Sequence, residues 1–280
     1  MNKTTYLGVT LAYRRFSMST WKTESLLDLG VVGINEKVDG TYTDLLGKLE
    51  DVKGVPGPKP KSYEPQFETK ESKDGNIELT MDARSANLIK KAIESDRKRH
   101  DDLRFFLYSN IFVSVWGAFE TYSQMLFEEI LSSKPEMLKS NEVITLNDVV
   151  SNISSIVEML VEKQVETIGH FKIDELLKYY KKKVNYSPTP VQTRKIKDYY
   201  FVRNVIAHKS GIIRESQRGK LPSGIKVSSD EIQLSEAFLK RAIKDIEKIV
   251  KDIELVIEDK FFKKPNKSSK KDTQKARASS

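Results

Sequence analysis

Between Leu103 and Leu131 the chain places apolar side chains on nearly every bearing of a helix: Phe105, Phe106, Leu107, Ile111, Phe112, Val113, Val115, Trp116, Phe119, Met125, Leu126 and Phe127. A segment at helical length without a polar face has to be covered on all sides, by other helices of the same chain or by a second subunit. Together with the helical patterns downstream, it points to a mainly α fold. Asn110, Glu120 and Gln124 interrupt the apolar surface, and each needs a polar partner if it is buried.

The other helices follow from caps and periodicity. A helical pattern begins near Asp82, with Leu88, Ile89, Ala92 and Ile93 in helical spacing. Thr145-Leu-Asn-Asp148 is a capping-box-like start for a helix to about Lys163, and a shorter helix is expected over Asp174–Lys183. Thr189-Pro190-Val191-Gln192 is the clearest start, with an N-cap hydroxyl, proline at the first helical position and glutamine at the third. This helix should end near Gly211. Residues 212–234 read as a loop with a short hairpin at Ile225-Lys-Val227, and Ser235 caps a last helix to about Lys260. Its apolar seam is Leu239, Ala242, Ile246, Ile249, Ile253 and Val256.

Residues 1–80 are expected to form an N-terminal appendage and linker, residues 81–260 the helical domain, and 261–280 a disordered basic tail. Within the appendage, Tyr6–Leu11 and Leu26–Val32 fit short strands or helical turns equally well, and Lys53–Lys61 is a Pro/Gly linker. The chain has no cysteine, which excludes disulfides, thiolate metal sites and a cysteine nucleophile. No apolar run approaches the roughly 18 residues of a membrane span, so a cytoplasmic protein without membrane contact is expected. No cofactor is indicated.

The net charge of +8 is unevenly distributed. From Lys260 onward eight cations face one anion, so the body is nearly neutral. Within it, residues 178–220 carry twelve cations against two anions. Such a belt suits an anionic partner such as RNA, and solvated lysines on helix faces would produce it as well. Lys195, Lys197, Lys209 and Arg214 are its candidate RNA-binding members.

Arg203-Asn204-Val205-Ile206-Ala207-His208 lies inside this belt. Arginine grips phosphate through a planar fork of donors, and histidine exchanges protons near neutrality. On one helix, positions 203 and 208 diverge by about 140° and lie about 7.5 Å apart along the axis, whereas 204 and 208 face the same way. A groove shared by two helices suits such a spread better than a pocket on one. A surface or capping role for both residues is the alternative. His100 sits in a charged helix surface, and His170 follows Gly169 at a helix end.

The R-N-x-x-x-H sequence, the upstream Trp116-Gly-Ala-Phe-Glu120-Thr-Tyr122 helix and the closing amphipathic helix together resemble the HEPN family over about residues 85–258. The resemblance implies a four- to five-helix bundle that dimerises across a composite cleft. It also implies a metal-independent endoribonuclease of toxin–antitoxin, abortive-infection or related defence systems, with an antitoxin or defence-system partner. Arg203 would hold the scissile phosphate, His208 would transfer protons or stabilise the leaving group, and Asn204 would orient either. Glu120 would support the site or simply pair with Arg203 or a lysine. Ser210 stands where nucleotidyltransferase-paired members often carry tyrosine, so control by modification of that residue is not implied. A HEPN-like module that binds RNA or protein without cutting is the other function compatible with the sequence.

Overall fold

The computed structural model describes residues 9–50, 67–71, 77–81, 83–138, 145, 150 and 155–262. The Lys53–Lys61 linker, most of the capping segment at 145–148 and the tail from residue 263 lie outside them. The chain is mainly helical: α1 (Leu11–Asn35), α2 (Tyr42–Glu50), α3 (Ala83–Ser133), α4 (Ile156–Gly169), α5 (Ile173–Val184), α6 (Pro190–Lys209), α7 (Glu215–Arg218) and α8 (Glu236–Ile257). Two antiparallel hairpins complete it, β1 (Phe67–Glu71) with β2 (Ile77–Met81), and β3 (Ile225–Ser228) with β4 (Glu231–Leu234). No described helix is long and apolar enough to cross a membrane.

Two compact units divide the chain, residues 24–111 and residues 1–23 together with 112–280. In the first, Gly30 of α1 leaves room for the Leu107 side chain of α3, which a Cβ would meet at 2.5 Å. The Tyr42 hydroxyl donates to Asp96, and its ring meets His100 edge-on at 5.5 Å. His100 is thus held by tyrosine and by the Asp96 carbonyl, 2.9 Å from Nδ1. Ahead of α3, β1 pairs with β2 in register from Phe67 opposite Met81 to Glu71 opposite Ile77.

The second unit is the helical bundle. The central part of α3 fulfils the covering requirement: Phe112 packs on Tyr199 of α6 and Phe238 of α8, Phe127 on Tyr180 of α5, and Tyr122 on Phe16 of α1. Each such ring, taken out of water, contributes roughly 1.5–3 kcal/mol. A narrow exposed stripe survives at Ser114, Thr121 and Glu128, two heptad steps along one bearing. Burial does not extend through the whole segment, because Leu103 and Phe106, in the other unit, are exposed.

Residues 10–23 belong to this bundle, whereas the sequence alone assigned them to an appendage. The first backbone donors of α1 point at carboxylates from other helices. Leu11 and Ala12 N–H groups donate to Glu129 of α3 at 3.2 and 2.7 Å, and Thr10 donates through N and Oγ1 to Glu254 of α8 at 3.3 and 2.7 Å. Thr10 Oγ1 also accepts from Tyr13 N, so the helix start is capped by this local bond together with the tertiary ones to Glu129. Tyr122 donates its hydroxyl to Glu254 Oε1, the oxygen that also accepts from the Thr10 hydroxyl. Burial pushes the Glu254 and Glu129 carboxyls above the usual carboxylate range, and their hydrogen bonds partly oppose that shift.

Candidate functional site

The local sequence builds α6 from both ends. At its start Thr189 Oγ1 accepts from Gln192 N at 3.2 Å, and Gln192 Oε1 accepts from Thr189 N at 2.9 Å, the reciprocal box expected from the sequence. The Gln192 amide reaches on to Asp252 of α8 at 2.7 Å. At its end Ser210 and Gly211 take left-handed backbone, φ 50° and 83°, and Gly211 N donates to Val205 O at 3.1 Å. The Gly211 carbonyl then accepts from Ile232 N of β4, which ties the helix end to the β3–β4 hairpin.

One face of α6 is anchored. Ile196, Tyr199, Val202 and Val205 are buried, and Asp245 of α8 accepts from Lys195 Nζ at 2.7 Å and from the Tyr199 hydroxyl at 2.6 Å. Burial first, then the Asp245 hydrogen bond, drives the Tyr199 hydroxyl well above its ordinary pKa. The opposite face carries Lys197, Asn204 and His208, spaced seven and four residues apart.

Arg203 joins the faces. Its Nη1 donates to Asn204 Oδ1 at 3.1 Å and approaches His208 Nε2 at 3.2 Å, and its Nη2 donates to Glu120 Oε2 at 3.2 Å. Guanidinium carries only donors, so the contact with His208 is a hydrogen bond when Nε2 offers its lone pair and the ring proton sits on Nδ1. The divergence of positions 203 and 208 on the helix is therefore bridged by the length of one arginine side chain. Glu120 is itself fixed, because its other oxygen accepts from the Trp116 indole N–H one turn earlier at 2.7 Å. The Trp116 ring packs against Tyr200 of α6 at 5.8 Å. Spacing alone could have identified Trp116 as the partner of Glu120, since the two are four residues apart; the Tyr200 contact had no signal in the sequence.

Arg203, Asn204, His208 and Glu120 are thus brought into one hydrogen-bonded group. Arg203 and Glu120 are partly exposed and His208 is exposed, so a ligand can reach them. A narrow cleft beside Glu120, lined by Trp116, Gln124, Phe171 and Tyr200, has space for little more than water. The four basic candidates are not gathered with this group. Lys195 lies on the anchored face, on Asp245; Lys197 shares the site face and pairs with Asp174 at 2.6 Å. Lys209 Nζ lies 3.4 Å from Gln217 Oε1, and Arg214 is exposed in the segment after the helix. His170 closes α4 with its backbone N–H, as its place after Gly169 suggested. Among the described residues no cluster of three or more His, Asp or Glu side chains is arranged to hold a metal. No protein-family model, curated protein sequence or solved structure matches the chain.

Proposed function

We propose that the chain is a metal-independent endoribonuclease of the HEPN type, acting in anti-phage defence or toxin-mediated growth arrest. The observation that carries this reading is the contact of Arg203 with both Asn204 and His208 on an exposed helix face. It joins a phosphate-binding cation to an imidazole nitrogen that accepts from it in the tautomer protonated at Nδ1.

In the reaction proposed, the ribose 2′-oxygen attacks the adjacent phosphorus and the bond from phosphorus to the 5′-oxygen breaks. The products are a 2′,3′-cyclic phosphate and a 5′-hydroxyl end. Arg203 neutralises the phosphate as charge builds on its oxygens. Once the phosphate takes the guanidinium in place of the imidazole, His208 Nε2 is released to take the 2′-hydroxyl proton, and the departing 5′-oxygen takes up one in return. One imidazole cannot be base and acid in the same step. A second motif helix from another subunit would supply the acid, which agrees with a composite cleft and with the homodimer expected from the resemblance. DNA, lacking the 2′-hydroxyl, would not be cut.

Incubating the protein with single-stranded RNA in EDTA tests the reading. Cleavage with cyclic-phosphate ends is expected, and Arg203→Ala and His208→Ala should each abolish it. Full activity in both variants overturns the assignment. The ion pair to Glu120 favours one second reading, a non-catalytic RNA- or protein-binding module in which Arg203 is structural. RNA that is bound and left intact in every condition supports that one.

A further inference from the structure

The start of α1 and the middle of α8 leave a groove between them. Tyr13 and Ser17 of α1 line one side, and Lys244, Glu247, Lys248 and Lys251 of α8 the other. All six belong to the unit of residues 1–23 and 112–280. The groove has a volume of about 330 Å³, at the small end of the roughly 300–1,000 Å³ of ligand pockets. Around the axis of α8 the three lysines lie about 60–120° from Asp245, which faces α6. The groove is therefore separate from the Arg203 group, and it leaves the exposed face of α6 clear.

Its polar side chains are nearly all donors, and they are unused. The three lysines are exposed, and among the described residues none pairs with a carboxylate, although Glu247 stands within about one turn of each. The neighbouring cations of α8 are engaged: Lys240 pairs with Glu236 at 2.8 Å, and Arg241 donates to the Ser223 carbonyl. The hydroxyls of Tyr13 and Ser17 likewise have no hydrogen-bond partner among the described residues. Lys244 and Lys248, four residues apart, repel each other along the helix, and an anion between them relieves that repulsion. Three ammonium groups spaced about 4.5–6 Å along one axis match a polyanion better than a single small ion. Half-buried Tyr13 adds a ring on which a base can stack, and Glu247 an acceptor for exocyclic amines.

We infer that the α1–α8 groove binds a single-stranded polynucleotide, with its phosphates on Lys244, Lys248 and Lys251 and one base against Tyr13. Stacking on Tyr13 requires an unpaired base, hence a single strand. A bilayer surface would call for apolar groups that protrude, whereas this ring lines a groove. The inference goes beyond the cleavage reading and holds whether or not Arg203 and His208 cut RNA.

Fluorescence anisotropy with the full chain and a labelled dodecamer tests it. DNA and 2′-O-methyl RNA both lack the 2′-hydroxyl, so binding is read apart from cutting. The two strands are expected to bind alike, since phosphates and base faces are common to them. The triple variant Lys244→Gln, Lys248→Gln, Lys251→Gln should weaken both at least about tenfold at low salt. It should also flatten the slope of log K against log salt by about 2, at roughly 0.7 per lost phosphate contact. The triple variant Lys91→Gln, Lys98→Gln, Arg99→Gln removes as many exposed cations from α3 and should change neither. Tyr13→Ala should lower affinity at least about fivefold, and Tyr13→Phe by less. Wild-type strand binding by the α8 variant overturns the inference, as does an equal loss from the α3 variant. Tighter binding of a duplex than of either strand overturns it too. Unchanged strand binding by the α8 variant together with lost binding to phosphatidylserine vesicles assigns the groove to a membrane surface instead.

Discussion

The carboxylate of Glu254, in the last turns of α8, receives both the backbone N–H and the hydroxyl of Thr10 at the start of α1, across 244 positions of sequence. This joins the beginning of the described chain to its last long helix. It also explains why a charged side chain is tolerated at a buried position, since each oxygen is hydrogen-bonded.

Glu254 should give stability a distinct pH dependence. Its folded-state pKa lies above the usual 4.5, chiefly through burial. The native state therefore holds the proton more tightly than the unfolded chain, and the stability gained from protonation is lost as pH rises from about 4.5 through the raised value. Glu254→Gln removes this dependence at that site. The melting temperature of the variant relative to wild type is expected to increase from pH 4.5 upward and then level off. A difference that falls with pH contradicts the assignment.

Phe16 should behave as a core residue. It is buried and its ring lies 5.7 Å from that of Tyr122. Phe16→Ala is expected to cost about 3–5 kcal/mol in chemical denaturation. A residue of a loosely attached appendage would cost less than about 0.5 kcal/mol.

Arg203→Lys separates charge from geometry. Lysine keeps the cation, yet its single ammonium cannot reproduce the planar fork that meets Asn204, His208 and Glu120 together. If the chain is the nuclease proposed, its RNA cleavage falls at least about 100-fold, as for removal of one transition-state donor. Denaturation should show a stability change below about 1 kcal/mol, because the ion pair is partly exposed.

Glu120→Gln addresses positioning. The variant keeps an acceptor for the Trp116 indole and removes the charge that holds Arg203. We expect cleavage to fall about tenfold with the products unchanged, within the range of a single supporting hydrogen bond to a charged group. An unchanged rate would reduce Glu120 to a surface partner of Arg203.

Lys195→Ala should weaken folding more than RNA affinity. Its Nζ is held 2.7 Å from Asp245, which also accepts from Tyr199. A loss of RNA affinity larger than that of Lys197→Ala, read from salt-dependent binding, would restore Lys195 to the interface.

Local rules alone determined much of this protein. The capping box at Thr189–Gln192, the helix end at Gly211, the Ser235 cap and the amphipathic seam of α8 depend on contacts within a few residues, and each stands where the sequence placed it. The apolar surface of 103–131 called for a covered helix, which holds from Tyr108 onward but not at Leu103 and Phe106, which are exposed. Helix α1 was not readable as a helix because both of its faces are apolar, which cancels the periodicity that marks an amphipathic segment. Its place in the bundle was decided by Glu129 and Glu254, partners more than a hundred positions away. The same distinction runs through the candidate site. The residue types and the order Arg203, Asn204, His208 are written in the sequence, but whether one side chain spans the turn between 203 and 208 depends on rotamer and neighbours. Only the packing of α3 against α6 brings Glu120 to Arg203 and turns a spaced pair into a connected group.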